Sequence, residues 1–507
     1  MDDFDARFSA AKSDRSGRVE DDGYEVYKFC FNGREDEWRG RNNRQREPEE
    51  IFADVVAGVA EDFFGDLFHT MTPENAPWVE YETGAGVPEE IQEQVTEFME
   101  VREVGIAKAI KQSNYYDEGP TAFQDAVMGN VCMWIDRHSL SDPVTCEAVP
   151  LSECYFRLGP YGIDDRFRES KYFYRDLPKL LPDAKFDRMI DDKIKNSPKA
   201  QGKVTWGFWR DYTDPGNPVW MQNIRVDGKP VGLDMKKEGD GSIPMVVGRF
   251  NAQPKTPWGW GPGRRMLPTM RTLDELVRMN LEAMDHTLDP AVVYPSDGVL
   301  DLSEGVEAGV AYPSMPGSGD SIQTIGGGQL DYGWFAEEKI EERIRDGFYR
   351  DLPQKGKTPP SASQYMGEEQ KQIRRMARPA GKLWKEFGVG LLKRFEWLET
   401  QPGGVFDGED FQMLDGQLVI LRPISPLERA QAREEVLVSQ SLMQMTVEAL
   451  GPEQAAMLMD GQATMNNIKD KLKDTLVVYR TAEELKQMAE AAMQMQQGPQ
   501  GAPDAPQ

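Results

Sequence analysis

Two stretches of nearly equal length, 268–289 and 332–352, carry helical periodicity and flank a module rich in Gly, Pro and Val. In the first, Leu273, Leu276, Val277, Leu281, Met284 and Leu288 recur at helical spacing and make one apolar stripe. In the second, Ile340, Ile344 and Phe348 form the stripe, while Glu337, Glu338, Glu341 and Glu342 crowd the other face. At about 1.5 Å per residue the two helices span roughly 33 and 31 Å. Such helices, antiparallel by connectivity, can pack along their stripes and carry the module, 290–330, at their far end. The turn Trp258-Gly259-Trp260-Gly261-Pro262-Gly263 opens the unit, and Asp289-Pro290 closes its first helix. The arrangement is mechanical and contains no catalytic pattern.

The remainder reads as α+β, mainly α. Residues 1–50 are dominated by charge of alternating sign and are expected as a solvated arm. A buried amphipathic helix follows from Ile51 to Leu67, with further helices predicted over Pro88–Ser113 and Thr121–Arg137. Short β-rich runs occupy Val144–Gly162, and Asp164–Pro198 reads as a charged helical insertion. Val204–Arg210 and Val219–Val226 flank Asp214-Pro215-Gly216-Asn217-Pro218 as a hairpin, Asp227-Gly228 is a tight-turn signal, and Pro244–Phe250 is a last strand. After 352 come a small basic loop holding Lys355 and Lys357, then a long helix to Leu398 with a kink predicted near Met376–Ala380 at Pro379. Leu418–Leu421 reads as a short strand. From Leu427 the chain is helical and Met-rich with a break at Gly451-Pro452, and Gln494–Gln507 is low-complexity and expected to be disordered.

Charge excludes one class of function. Fifty-nine Lys and Arg stand against 86 Asp and Glu, a net −27, so the overall field does not hold nucleic acid. No apolar run approaches the roughly 20 residues that span a bilayer, which points to a soluble protein with no membrane partner. Cys30, Cys132, Cys146 and Cys154 lack metal or disulfide spacing and are expected as reduced thiols of a cytoplasmic product. No phosphate loop, dinucleotide fingerprint, nucleophile elbow or zinc helix occurs, and no metal or cofactor site is expected. His69, His138 and His286 lie far apart in helical contexts. The tryptophans at 206, 209, 220, 258 and 260 leave a sugar-acting enzyme as a minor alternative.

The stretch Phe250-Asn251, Trp258–Gly263, Leu267-Pro268-Thr269-Met270-Arg271-Thr272-Leu273-Asp274-Glu275-Leu276, Leu288-Asp289-Pro290-Ala291 and Asp297-Gly298-Val299 resembles the head-to-tail connecting (portal) proteins of short-tailed, podovirus-like bacteriophages. In that family an aromatic-Gly-x-Gly/Ser-Pro turn enters a helix and an Asp-Pro follows, in the same order of parts over roughly 50–490. Trp258 and Trp260 stand where Tyr is commoner, and Thr358–Ser363 replaces a Thr-Ala-Thr-Glu-Val-like segment. The resemblance implies a homo-oligomeric ring, usually of twelve copies, at one capsid vertex of the virion, assembled in the host cytoplasm. Double-stranded DNA would pass through it without sequence specificity, during packaging and ejection. Implied partners are the major capsid and scaffolding proteins, the terminase large subunit and a tail adaptor. The implied parts are a wing (51–262), stem helices (263–289 and 331–352) and a clip (290–330). A tunnel loop (353–360), a kinked long helix returning to the wing (361–425), a helical crown (426–493) and a tail (494–507) complete them. Lys355 and Lys357 would meet DNA, Glu337, Glu338, Glu341 and Glu342 would line the channel, and Trp258, Trp260, Gly261, Pro262 and Gly263 would join wing to stem. Tyr294, Asp297, Tyr312 and Ile322 would belong to the docking clip. A different virion or scaffolding interaction protein is the alternative.

Overall fold

The computed structural model describes residues 3–15, 17–39, 51–75, 78–79, 81–82, 89–139, 142–213, 219–295, 307–314, 323–325, 330–350, 374–406, 422–423 and 426–451, with isolated helical positions at 454, 458, 463–465 and 467–468. The fold is α+β, mainly helical, and divides into two compact units, Met1–Pro426 and Leu427–Gln507.

Of the expected solvated arm, 1–50, the described part (3–15 and 17–39) is folded onto the rest of the chain. Helix α1 (Asp3–Arg15) has Asp3 and Asp5 in its first turn and Lys12 and Arg15 in its last, which suits the helix dipole. Its Phe4 is 2% exposed. Helix α2 (Arg18–Cys30) fully buries Val26 and Tyr27. The alternating charges that made this segment look soluble pair instead with distant parts of the fold. Arg7 meets Asp165 at 2.9 Å, and Arg225 meets Asp5 at 2.7 Å.

Helix α3 (Val55–Met71) presents Val56, Val59, Phe63 and Leu67 to the core, and α4 (Glu89–Gln112) follows the short strand β1 (Tyr81–Glu82). The third predicted helix, 121–137, is helical only in its first part and wrong in type from Asn130. Helix α5 (Tyr115–Gln124) ends in a 3-10 turn at Asp125–Val127, Gly129 reverses at φ 124°, and Asn130–Asp136 is strand β2. Val131, Cys132, Met133 and Ile135 are all buried, so the strand lacks the alternation that distinguishes a half-exposed strand from a helix.

Strands β3 (Thr145–Ala148) and β4 (Cys154–Gly159) match the β-rich reading. The expected helical insertion, 164–198, begins as strand: β5 runs Gly162–Phe173, and the helical part is confined to the short helices α6 (Leu177–Leu180) and α7 (Arg188–Asn196). Strand β6 (Gln201–Asp211) and strand β7 (Val219–Val226) form the expected antiparallel hairpin, paired from Val204↔Val226 out to Asp211↔Val219. Asp227 and Gly228 both have positive φ, 48° and 77°, the signature of a type I′ turn, and return the chain as β8 (Lys229–Pro230). Strand β9 (Met235–Glu238) pairs with the other end of β7. The order in this sheet is β4-β5-β6-β7-β8. Strand β10 (Met245–Arg249) joins β2 and β3 in a separate sheet, β10-β2-β3, so there are two sheets where one was expected.

Helix α8 spans Pro262–Leu288 and, after the strands β11 (Ala291–Pro295), β12 (Ala311–Ser314) and β13 (Gln323–Ile325), helix α9 spans Leu330–Gly347. Helix α8 therefore starts six residues before Pro268, which lies inside it, because Pro262 at the first helical position costs no hydrogen bond. Helix α9 stops at Gly347, before the expected 352, and Tyr349 then takes φ 66°. Residues 374–383 form α10, which contains Pro379, and a π-helical turn at Trp384–Gly388 leads into α11 (Val389–Glu399). The irregularity thus falls five residues beyond the proline. The π turn and α11 lie on β10 and β2: Phe387 packs where a side chain on Gly248 would sit, and buried Arg394 reaches the carbonyl of Ile135 at 2.9 Å. Strand β14 (Arg422–Pro423) pairs with β1, and the strand expected at 418–421 lies outside the described residues.

Helix α12 runs Pro426–Leu450, all but its first residue in the second unit, and ends as expected at Gly451, φ 81°.

Candidate functional site

Helices α8 and α9 pack antiparallel. Near the body, Met266 packs where a side chain on Gly347 would sit, and Arg265 donates to the Gly347 carbonyl. Further out, Asn280 packs against Gly333 and donates to Glu337 at 2.8 Å. Burial divides the pair along its length. Met266, Leu267, Met270 and Leu273 of α8 and Ile344 of α9 are buried, with Phe348 just beyond. The outer part exposes Leu281 (47%), Leu288 (78%), Trp334 (51%) and Phe335 (57%). The stripe read from sequence is thus core at one end and uncovered at the other.

The charges differ between the two helices. Leu330–Gly347 contains six acids and three bases, 3 − 6 = −3, whereas Pro262–Leu288 contains four of each. Glu338 and Glu342 are exposed, Glu337 is half-buried against Asn280, and Glu341 pairs with Arg345 at 2.9 Å. On α8, Arg278 is held between Glu275 and Glu282, and the hydrogen bond from Arg278 lowers the Glu275 carboxyl below the usual range. Beyond the helices, β11 is central in a three-stranded sheet, parallel to β12 and antiparallel to β13. Tyr294 is 39% exposed, and the Tyr312 hydroxyl accepts from the Glu307 amide at 2.9 Å. Asp297, Ile322, Lys355 and Lys357 lie outside the described residues.

The turn into α8 is wedged against 126–130. Gly259 donates to Asn130 Oδ1 at 2.7 Å, Asn130 Nδ2 donates to the Pro257 carbonyl at 3.1 Å, and Gly261 donates to the Met128 carbonyl at 3.1 Å. A Cβ on Gly259 would overlap the Gly129 carbonyl, and one on Gly261 would overlap that of Val127. Trp258 is 2% exposed and packs on Phe156 at 5.3 Å. Pro262 and Gly263 are buried, and Trp260 lies under the Arg264 guanidinium at 4.7 Å. Arg264 in turn meets Asp22 at 2.8 Å, and Arg271 reaches Glu25 at 2.6 Å, so α2 braces the root of α8. Sequence reasoning missed this brace because it assigned 1–50 to solvent.

His69, His138 and His286 lie on α3, after β2 and near the end of α8, and no group of three metal-ligating residues occurs among the described residues. Burial pushes the Cys146 thiol up to about 12 and raises those of Cys30 and Cys154, so none is a thiolate at neutral pH. Trp206, Trp209, Trp220 and Trp258 are buried, which removes the stacking platform that a sugar-acting reading requires.

No helix among the described residues is long and apolar enough to cross a membrane. No curated protein matches the chain. The family of the bacteriophage head to tail connecting protein matches over residues 1–473.

Proposed function

This chain belongs to the bacteriophage head to tail connecting proteins, and on that footing we propose that it forms the portal ring, of about a dozen copies, at one capsid vertex. Membership makes it a structural component of the virion that meets head and tail parts. In the proposed ring, α8 and α9 are the stem and line a channel for double-stranded DNA. The module 290–330 is the clip, which docks the packaging motor and later the tail adaptor. Residues 51–262 form the wing, and 426–493 the crown.

The observation that carries this reading is the uncovered outer half of the α8–α9 pair. Leu281, Leu288, Trp334 and Phe335 stand exposed beside an acidic helix. Covering such side chains against neighbouring copies is worth about 1.5–3 kcal/mol each. The acidic face of α9 suits a conduit, since tight phosphate contacts would hold DNA in place. In the tunnel loop, 353–360, Lys355 and Lys357 supply brief contacts. Native mass measurement and imaging of the purified chain test the ring: a closed assembly of about a dozen chains with a central hole is expected, and a stable monomer at micromolar concentration refutes it. Replacing Lys355 and Lys357 with Glu is expected to reduce DNA packaging, and unchanged packaging removes them from the path.

A further inference from the structure

Where β5, β6, β7, β10 and the π turn meet, a cavity of about 260 Å³ is lined by Arg166, Arg210, Lys382, Lys385, Lys393 and Arg394 against Asp164, Asp240 and Glu386, a balance of 6 − 3 = +3. That is the reverse of the sign of the chain as a whole. Two guanidinium groups share the indole of Trp220, Arg166 at 4.9 Å and Arg210 at 5.3 Å from its centroid. Like charges so placed repel, and the carboxylates nearby are already divided. Asp240 serves both Arg210 and Lys393, and Glu386 serves both Arg249 and Lys382. Arg166 donates only to the carbonyls of Ile163 at 3.0 Å and Met245 at 2.8 Å, and meets no carboxylate within ion-pair distance among the described residues. Desolvation lowers its pKa to about 10. Exposed Lys385 likewise has no ion-pair partner among the described residues.

Two of the lining residues carry buried donors, Arg210 Nε and Trp220 Nε1, that have no acceptor among the described residues. Leaving such donors unsatisfied is costly, and a bound anion is one of the arrangements that relieves it. Donors reaching one cavity from four elements suit an acceptor with oxygens in several directions, which a tetrahedral phosphate has and a planar carboxylate lacks.

We propose that this cavity is a phosphate-binding site in which Arg166, Arg210 and Lys385 hold the phosphate group and Trp220 Nε1 donates a further hydrogen bond. The group belongs either to a nucleic-acid backbone passing this face or to a small phosphate compound.

Calorimetric titration of inorganic phosphate into the purified chain at low ionic strength, with chloride as control, tests the site. Saturable binding of one phosphate per chain is expected, weakened about tenfold by Lys385→Gln and by Arg166→Lys, which keeps the charge but loses the fork. Lys385 is exposed, so its variant folds and decides the matter if the Arg166 variant does not. A short DNA duplex that competes with phosphate assigns the group to nucleic acid, and a duplex that does not compete assigns it to a small compound. Absence of saturable phosphate binding, or equal affinity in Lys385→Gln and the unmodified chain, overturns the proposal.

Discussion

Asp125 sits where α5 gives way to β2, fully enclosed, accepting from the Tyr27 hydroxyl and from the Leu151 amide at 2.9 Å. Desolvation raises its pKa to about 6, against the opposing pull of the Tyr27 hydrogen bond and the Arg34 charge. A carboxyl raised in the folded state binds its proton more tightly there than in the unfolded chain. Its penalty is therefore absent below the unfolded value near 4 and complete above pH about 6, a cost on the order of 3 kcal/mol at neutral pH. Denaturant unfolding at pH 4.5 and pH 7 should show this component in the unmodified chain and not in Asp125→Asn, although other carboxylates add slopes of opposite sign. Glu386, whose carboxyl is lowered by the Arg249 hydrogen bond against desolvation, supplies stability that is lost as pH falls. At the turn into α8, Gly259→Ala should cost about 3 kcal/mol or more, read as a lowered melting temperature, because the added methyl meets backbone that has no rotamer to yield. That Gly259 and Gly261 make a turn was legible from their spacing. The reason only glycine fits was not, since the obstructing carbonyls of Gly129 and Val127 lie about 130 residues upstream in the chain.

At the level of elements, the legible parts were those whose signal is local. The hairpin β6–β7 and the Asp227-Gly228 turn follow from turn chemistry, and helices α8 and α9 follow from one-sided stripes. Strand β2 was misread because burial on both faces erases alternation, and β5 because its charges are answered from elsewhere. Arg168 pairs with Glu153 at 3.0 Å, and Asp165 pairs with Arg7. The same pairing disguised α1 as a solvated arm. Phe4→Ala should therefore destabilise the fold by about 3 kcal/mol, as for a core aromatic. Its ring meets Phe167 edge-on at 5.5 Å and Trp209 at 6.2 Å. Hydrogen exchange would report faster exchange in α1 and β5 of that variant. Besides its buried Leu391, Leu392 and Phe395, helix α11 is held by Arg394, which serves the carbonyls of Ile135, Gly241 and Ser242 and meets Asp136 at 3.1 Å. Arg394→Met should cost about 3–5 kcal/mol, chiefly from the carbonyls left unpaired. A measured loss below 1 kcal/mol would mean that water replaces it at no penalty.

For the whole molecule, the division of the α8–α9 pair into a buried root and an exposed outer half separates folding from the proposed assembly. Leu288→Asp combined with Trp334→Ser should leave the melting temperature of the single chain within a few degrees while abolishing the ring in native mass spectra, because neither side chain is buried within one copy. A ring that persists would place the contacts between copies elsewhere. The position of α1 has a consequence of another kind. Arg7 closes on Asp165 across 158 residues of chain, and Phe4 and Phe8 close on Phe167. At about 5–20 residues per second, the ribosome exposes α1 for roughly 10–30 s before β5 is made. Throughout that interval two phenylalanines are bare on a nascent helix, open to capture by a chaperone during synthesis.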